Sequence, residues 1–184
     1  MKLIVGLGNP GEKYFSTRHN LGADFLILAQ KIAKKKGIPF SSWNFNKKFK
    51  AFISQGKIKE EKIILALPQT FMNNSGQSVQ LLMEFYKIPL HNLTVIHDDI
   101  DIPLGEFKIQ QNKSSAGHKG VQSIIDKIGS QNFQRVRIGI NPQIKNGVSL
   151  LKIPTEKFVL QKFSSKEKNK IQNLTEKILP KLIF

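Results

Sequence analysis

The chain of 184 residues contains no cysteine. Disulfide bridges, a thiolate nucleophile and sulfur-ligated zinc sites are therefore excluded, and a reduced, cytoplasmic setting is predicted. Long apolar runs are missing as well, since no stretch approaches the roughly 18–20 apolar residues of a membrane span, and the first residues enter a strand pattern rather than a secretory signal. We therefore expect a soluble, unexported protein with one domain, residues 1–184, because this length suits a single core.

Acidic residues are scarce: 13 Asp and Glu stand against 29 Lys and Arg, which gives a net charge of +16. This excess is larger than solubility requires, and it favours a polyanionic partner such as nucleic acid. A lysine-rich genome composition is an alternative explanation, because arginine occurs only at Arg18, Arg135 and Arg137. An anionic membrane surface is a further alternative, for which only the C-terminal segment has a basic amphipathic pattern.

Short apolar runs rich in β-branched residues alternate with amphipathic helical segments. The predicted strands are Leu3–Leu7, Phe49–Gln55, Ile63–Leu67, Thr94–His97, Gly105–Ile109 and Val136–Ile140. The predicted helices are Ala23–Lys36, Ser75–Tyr86, Gly117–Ile128 and a fourth that begins at Ser164, with capping boxes at Asn74/Gln77 and Ser164/Glu167. This alternation predicts a three-layer α/β/α sandwich around a mixed, mainly parallel twisted sheet.

The segment from Gly6 to Gly11 matches the G-x-G-x-x-G pattern of dinucleotide-binding turns. Such a turn should lead at once into a helix, yet Pro10 to Tyr14 continues as a loop, and no acidic residue ends a second strand about 20 residues further on. A tight glycine turn is the alternative. It still displays Asn9 at the carboxyl end of a strand, where open α/β sheets bind their ligands.

Polar residues follow the other predicted strands at the same edge of the sheet. They include the 68–74 loop, Asp98 with Asp99 after the Thr94–His97 strand, and Gly117–Gly120 at the start of a helix. Because the carboxyl ends of parallel strands share one edge, we expect these loops to converge on one cleft.

Two histidines have neighbours that suggest chemistry. His19 lies in a loop just before a helix, and His97 with Asp98 ends a strand. A His–Asp pair suits a general base, because the carboxylate fixes the imidazole tautomer. A surface or capping role is the alternative for a loop histidine, and His118 at a helix start could bind a phosphate or cap the turn. No G-x-S-x-G elbow is present, so water is the expected nucleophile. Asp98, Asp99 and Asp101 lack calcium-loop spacing, and neither a metal nor a cofactor is expected.

Six blocks of the chain resemble bacterial peptidyl-tRNA hydrolases in residue type, order and spacing, from Met1 to about Phe163. The blocks are Val5-Gly6-Leu7-Gly8-Asn9-Pro10-Gly11-x-x-Tyr14, Thr17-Arg18-His19-Asn20-x-Gly22, Pro68-x-Thr70-Phe71-Met72-Asn73-x-Ser75-Gly76, His97-Asp98-Asp99-x-Asp101-x-Pro103-x-Gly105, Gly117-His118-x-Gly120 and Arg135-x-Arg137-Ile138-Gly139-Ile140. The resemblance implies hydrolysis of the ester between a peptide and the 3′ ribose of tRNA, which returns tRNA to translation.

The resemblance also implies the roles of the site residues. His19 corresponds to the base that activates water and Asp98 to the residue that orients it, without a covalent intermediate. The implied substrate contacts are Asn9, Tyr14, Asn20, Phe71, Met72, Asn73, His118 and Lys119. The implied contacts with tRNA phosphates are Arg137, Lys145, Lys108 and Lys113. The implied partner is the acceptor end of peptidyl-tRNA, and we expect a monomer with no membrane contact and no obligate protein partner.

One position departs from the family pattern: Lys119 stands where the family usually has asparagine. This puts one polar substrate contact in doubt, although the base and its orienting carboxylate are present. It also leaves open an RNA-binding protein without hydrolytic activity, as in plant organelle members of this fold. A nucleotide-dependent oxidoreductase is disfavoured, because no helix follows Gly11.

Overall fold

The computed structural model describes residues 1–145 and 148–183, with the side chains of residues 145 and 183 left outside the description. Its main feature is a seven-stranded sheet in the order β2-β3-β4-β1-β5-β7-β6. The strands are β1 (Lys2–Gly6), β2 (Asn44–Asn46), β3 (Ala51–Ile58), β4 (Glu61–Pro68), β5 (Leu93–Pro103), β6 (Phe107–Gln111) and β7 (Gln134–Asn141). A separate ribbon pairs β8 (Ile144–Lys145) with β9 (Val148–Ser149).

The four central strands, β4, β1, β5 and β7, run parallel to one another. Antiparallel pairings join β2 to β3, β3 to β4 and β6 to β7 at the two sides of the sheet. The helices are α1 (Leu21–Lys35), α2 (Ser75–Tyr86), α3 (Lys119–Ile128), α4 (Thr155–Phe158) and α5 (Ser165–Ile183). None of these helices is both long and apolar enough to cross a membrane.

The core forms two layers, one on each face of the sheet. Side chains alternate along a buried strand, so Ile4 packs with α1 and α5, whereas Leu3 and Val5 pack with α2 and α3. The architecture is the predicted three-layer α/β/α sandwich, and all six predicted strands and four predicted helices have a counterpart in it.

Three short elements were missed because they carry little periodicity. The predicted 38–46 loop contains β2, and the segment 141–154 contains the β8–β9 ribbon. Helix α4 has four residues, about one turn, which is too short for an amphipathic pattern.

The two predicted capping boxes had different outcomes. At α5, the Ser164 N–H donates to Oε2 of Glu167 at 2.8 Å and the Glu167 N–H donates to Oγ of Ser164 at 3.4 Å, so this box is confirmed. At α2 the prediction is wrong, since the Asn74 side chain makes no cap hydrogen bond. A 3-10 turn over Met72–Asn74 leads directly into α2 instead, and it supplies the entry that the cap was expected to provide.

The glycine-rich segment is a packing feature at the end of β1. A Cβ on Gly6 would lie 2.5 Å from the carbonyl oxygen of Gly22, and one on Gly22 would lie 2.2 Å from that of Ile96. Helix α1 therefore crosses the strand ends at a distance that only glycine allows. Gly11 has φ +100°, a left-handed conformation that glycine adopts without strain. Only a 3-10 turn, Glu12–Tyr14, follows Gly11, and the first α-helix begins at Leu21. A dinucleotide-binding turn leads at once into an α-helix, so this segment is not such a turn.

Candidate active site

A cleft of about 710 Å³ lies at the carboxyl ends of the parallel strands. Of the predicted site residues, it brings together Asn9, His19, Phe71, Met72, Asn73, Asp98, His118 and Lys119. Asp99 and Gly117, which were expected at the cleft from their positions, also line it. No site assignment was made from the sequence for the other lining residues, which are Ile100, Asp101, Ser115, Ala116, Thr155, Glu156, Val159 and Leu160. The loops after β1 and β4 therefore converge with the start of α3 and with the carboxyl-terminal half of β5. Asp98 and Asp99, predicted to follow their strand, lie within it, because β5 continues to Pro103.

His19 and Asp98 form the central contact of the cleft. Nδ1 of His19 lies 3.0 Å from each carboxylate oxygen of Asp98. An ionised carboxylate only accepts hydrogen bonds, so Nδ1 of His19 carries the proton. In the neutral form of the His19 ring, Nε2 is then the unprotonated nitrogen.

His118 contacts the same carboxylate from the opposite side. Its Nδ1 accepts hydrogen bonds from the backbone N–H groups of Gly120 and Val121, at 3.1 and 3.2 Å, and so caps helix α3. Since a backbone N–H can only donate, the His118 proton resides on Nε2, which donates to Oδ1 of Asp98 at 3.0 Å. Asp98 thus accepts N–H bonds from two histidines.

This pair of donors decides the charge of Asp98. The residue is 3% exposed, and burial opposes ionisation. The adjacent His19 and His118 outweigh burial and hold the pKa of the Asp98 carboxyl well below its usual range. The group is therefore a carboxylate at neutral pH, which is the form that both histidines require.

Ligand atoms of His19, Asp98 and His118 lie within 4.8 Å of one another, close enough for a divalent metal. A metal on His118 Nε2 would displace its proton while Nδ1 still accepts two N–H bonds, which would require an imidazolate. A metal-bound histidine normally donates its other N–H to an acceptor. The hydrogen-bond pattern thus favours a protonated network over a metal centre.

His97, next to Asp98 in sequence, has a separate structural role. Its Nδ1 donates to the backbone carbonyl of Asp98 at 2.7 Å, and its ring packs edge-on against His118 with centroids 4.6 Å apart. Complete burial and the adjacent His118 lower the pKa of His97 well below the ordinary value, so this ring stays neutral. His97 supports Asp98 and His118 from behind and does not line the cleft.

Asn9 is held in one orientation by its neighbours. Its backbone N–H donates to Oδ1 of Asn20 at 2.8 Å, and its carbonyl accepts from Nδ2 of Asn20 at 2.9 Å. Its own Oδ1 accepts from the Met72 N–H at 2.8 Å, so the free donor of Asn9 is its NH₂ group. Asn20 is buried behind Asn9 and does not line the cleft.

The cleft mouth is aromatic. Phe71 is 54% exposed, and Tyr14 packs edge-on against it with ring centroids 6.4 Å apart. Met72 is buried, and a Cβ added to Gly120 would lie 2.4 Å from its sulfur. Met72 therefore packs against the start of α3, while Asn73 beside it is exposed on the cleft wall.

Arg137 lies on the far side of Asp99 from the cleft. Its Nε donates to Oδ2 of Asp99 at 2.7 Å and its Nη1 to Oε1 of Gln110 at 2.6 Å. Lys108 pairs with Arg137 in the β6–β7 register and Lys113 is exposed in the next loop. Lys145 has a described backbone in β8, but its side chain lies outside the described part of the chain.

Arg18 fixes the turn that carries His19. Its guanidinium lies between the rings of Phe158 and Phe163, at 4.5 and 4.7 Å from their centroids, and its Nη2 donates to Oε1 of Glu167 at 2.9 Å. The Arg18 and His19 backbone N–H groups donate to the carbonyls of residues 161 and 159, respectively. The turn that carries His19 is thereby anchored to the C-terminal quarter of the chain. The only signal for this in the sequence was the position of Arg18 next to His19.

Comparisons with known proteins show which family this chain is similar to. A family model described as peptidyl-tRNA hydrolase matches residues 3–183. The chain is 46% identical over 171 residues to the peptidyl-tRNA hydrolase of Thermoanaerobacter sp. (strain X514), covering 93% of this chain and 85% of that one. It is 41% identical over 173 residues to that of Brevibacillus brevis, covering 94% and 84%. The solved peptidyl-tRNA hydrolase of Acinetobacter baumannii superimposes with a TM-score of 0.82 at 34% identity, covering 99% and 86%.

Proposed function

The chain belongs to the peptidyl-tRNA hydrolase family and is an enzyme that hydrolyses peptidyl-tRNA, and we propose that it does so by direct attack of a water molecule activated by His19. One observation supports this mechanism above the others. The carboxylate of Asp98 accepts the hydrogen bond from the Nδ1–H group of His19. Nε2 of His19 is therefore free to accept a proton from a water molecule in the cleft.

The proposed reaction proceeds in two steps. Nε2 of His19 removes a proton from water as the water oxygen bonds to the ester carbonyl carbon, and Asp98 stabilises the resulting imidazolium. The bond between this carbon and the ribose 3′ oxygen then breaks, and His19 returns the proton to that oxygen. The products are a tRNA with a free 3′ hydroxyl and a peptide carboxylic acid, which loses its proton to solvent and becomes a carboxylate at neutral pH.

Two amide side chains suit the reacting carbonyl. Asn9 offers its NH₂ group, because its oxygen is bonded to the Met72 N–H, and Asn73 is exposed on the same cleft. We assign them to the peptide backbone and to the oxygen that becomes negative in the transition state. Asn20 acts through Asn9 by holding its backbone.

No serine or threonine hydroxyl among the described residues of the cleft is hydrogen-bonded to a histidine. The Ser115 hydroxyl donates to Oε1 of Gln122 at 2.7 Å and is buried. An acyl-enzyme would need a hydroxyl activated by an adjacent base, so this arrangement favours water as the nucleophile.

The mechanism is tested by a single-turnover reaction of EDTA-treated enzyme with N-acylated aminoacyl-tRNA in H₂¹⁸O, quenched at short times. We expect one ¹⁸O in the released carboxylate, none in the tRNA, full activity after EDTA, and no acyl adduct on the intact protein by mass spectrometry. Ser115→Ala is the control for a hidden serine nucleophile. An adduct that forms and decays at the turnover rate would contradict direct hydrolysis.

The remaining contacts are proposed from charge and position. Arg137, Lys108, Lys113 and Lys145 would contact phosphates of the tRNA acceptor end, which the net charge of +16 supports. Tyr14 and Phe71 at the cleft mouth would pack against the terminal ribose and base. We further propose that residues 1–184 act as one domain, as a cytoplasmic monomer without an obligate protein partner.

Lys119 is exposed at the first position of α3 and lines the cleft. A lysine near the positive end of a helix costs a few tenths to about 1 kcal/mol, which an anionic substrate offsets. We expect Lys119→Asn to keep or raise kcat with modestly weaker tRNA binding, and Lys119→Ala to reduce affinity more than kcat. Steady-state kinetics on one peptidyl-tRNA at two salt concentrations measures both.

The matched control is Lys127→Ala, an exposed lysine near the other end of α3 that does not line the cleft. Loss of turnover in Lys119→Ala with unchanged affinity would show that the lysine takes part in the chemistry, against this assignment.

A further inference from the structure

Arg137 does not stand free for a phosphate, because a carboxylate already occupies one side of it. Asp99 is 7% exposed and accepts from Arg137 Nε at 2.7 Å, while Arg137 retains 17% side-chain exposure. Asp99 is itself fixed, since its Oδ1 accepts from the Asp101 N–H at 3.0 Å. The pair is therefore a preformed feature at the edge of the cleft.

Asp98 and Asp99 have opposite surroundings although they are adjacent. Side chains alternate along β5, so Asp98 and Asp99 lie on opposite faces of the sheet. Asp98 contacts His19, and Asp99 lies on the face that carries Arg137 of the neighbouring strand β7. The carboxylate of Asp98 accepts hydrogen bonds from His19 and His118, whereas Asp99 forms no hydrogen bond with a histidine in the described part of the chain. The chemistry of the ester thus does not use Asp99.

The guanidinium still has donors to offer. Of its five N–H groups, one donates to Asp99 and one to Gln110, which leaves three. Asp99 and Gln110 hold the group in place, yet Asp99 also cancels its charge. A phosphate that approaches Arg137 would therefore accept from an oriented N–H group of the guanidinium and be repelled by the adjacent carboxylate of Asp99.

We infer that Asp99 sets the affinity for tRNA by weakening the grip of Arg137 on the acceptor end, and so favours release of the tRNA product. This inference rests on the proposed phosphate contact of Arg137. In a protein of net charge +16, RNA without the ester would otherwise be retained through charge alone. A carboxylate at this contact lowers that retention without altering the catalytic pair.

The test uses Asp99→Asn, which removes the charge and leaves one oxygen to accept from Arg137, with loss of the hydrogen bond from the Asp101 N–H. We expect the Kd for deacylated tRNA to fall about three- to tenfold, with the salt dependence steeper by roughly one counterion. The KM for peptidyl-tRNA falls with it. Hydrolysis of an N-acyl-aminoacyl ester of a single adenosine, which has no acceptor-stem phosphates, stays within about twofold of wild type.

Asp101→Asn is the matched control, since it removes an exposed carboxylate from the same cleft wall and forms no ion pair among the described residues. Its effect on tRNA affinity should be below about twofold. In an Arg137→Gln background, Asp99→Asn should have no larger effect than Asp101→Asn.

Weaker or unchanged tRNA binding in Asp99→Asn, or an equal gain in Asp101→Asn, overturns the inference. The single variant Arg137→Gln separates this failure from that of the proposed function. If Arg137→Gln binds tRNA with wild-type affinity, Arg137 does not contact a phosphate and the proposed contact is wrong. If Arg137→Gln binds tRNA more weakly and Asp99→Asn does not change the affinity, only the role of Asp99 is wrong.

Discussion

Replacing His19 by alanine is expected to lower kcat for peptidyl-tRNA by about 10²–10⁴-fold, the usual contribution of a general base. The affinity for tRNA should remain close to that of wild type, because His19 is 13% exposed within the cleft and contacts Asp98 rather than the outer surface. Single-turnover release of the peptide, combined with a tRNA binding curve, separates the two quantities.

His91→Ala is the matched control, because it removes an exposed loop histidine that does not line the cleft. Free imidazole should partly restore turnover in His19→Ala, since alanine leaves space where the base stood, and should not accelerate wild type. Near-normal turnover in a folded His19→Ala variant would remove His19 from the chemistry.

Asp98→Asn should lower kcat by an order of 10³–10⁴ through the wrong tautomer of His19. A carboxylate accepts N–H bonds from His19 and His118 together, whereas an amide has one oxygen and presents an NH₂ group to the second ring. His118 cannot change its tautomer without giving up two backbone N–H bonds, so the NH₂ group is directed at His19. Nδ1 of His19 must then accept, and its proton moves to Nε2, where a base needs a lone pair.

Nitrogen NMR of the histidine rings measures this tautomer directly. The acid side of the stability curve provides a second readout. The lowered pKa of Asp98 stabilises the wild-type fold above the ordinary Asp value of about 3.9, and this contribution is lost as the pH falls below it. The stability of the Asp98→Asn variant should not show this decrease at low pH. A full-rate Asp98→Asn enzyme with an unchanged His19 tautomer would contradict the assignment.

The sequence predicted the sheet from local patterns, since β1 and β4 are largely continuous apolar runs. The pairing of His19 with Asp98 was predicted from the resemblance to the family, because the two residues are 79 positions apart and no local pattern joins them. The tautomer of His118 depends on two backbone N–H groups whose direction only the folded helix sets. The contact between the amide of Asn20 and the backbone of Asn9 also depends on the fold, and the substrate contact of Asn20 stays a prediction.

Contacts between distant residues were beyond the reach of pattern reasoning. Arg137 was correctly predicted to face away from Val136 and Ile138, which are buried with α1 and α5. Its ion pair with Asp99 depends on the register between β5 and β7, which no local pattern encodes. The contact of Arg18 with Glu167 spans 149 positions and was missed for the same reason.

The contacts that hold Arg18 have a consequence for the order of events during folding. The contact between Arg18 and Glu167 closes a loop of 149 positions. Closing such a loop costs chain entropy that is offset only when the contact is complete, so contacts of this kind form late. The turn that carries His19 acquires its anchors from residues 159–167, which leave the ribosome after most of the sheet has been synthesised. We therefore expect the turn that carries His19 to become ordered only after residues 159–167 have been synthesised. Activity on peptidyl-tRNA should accordingly appear only once α5 has docked.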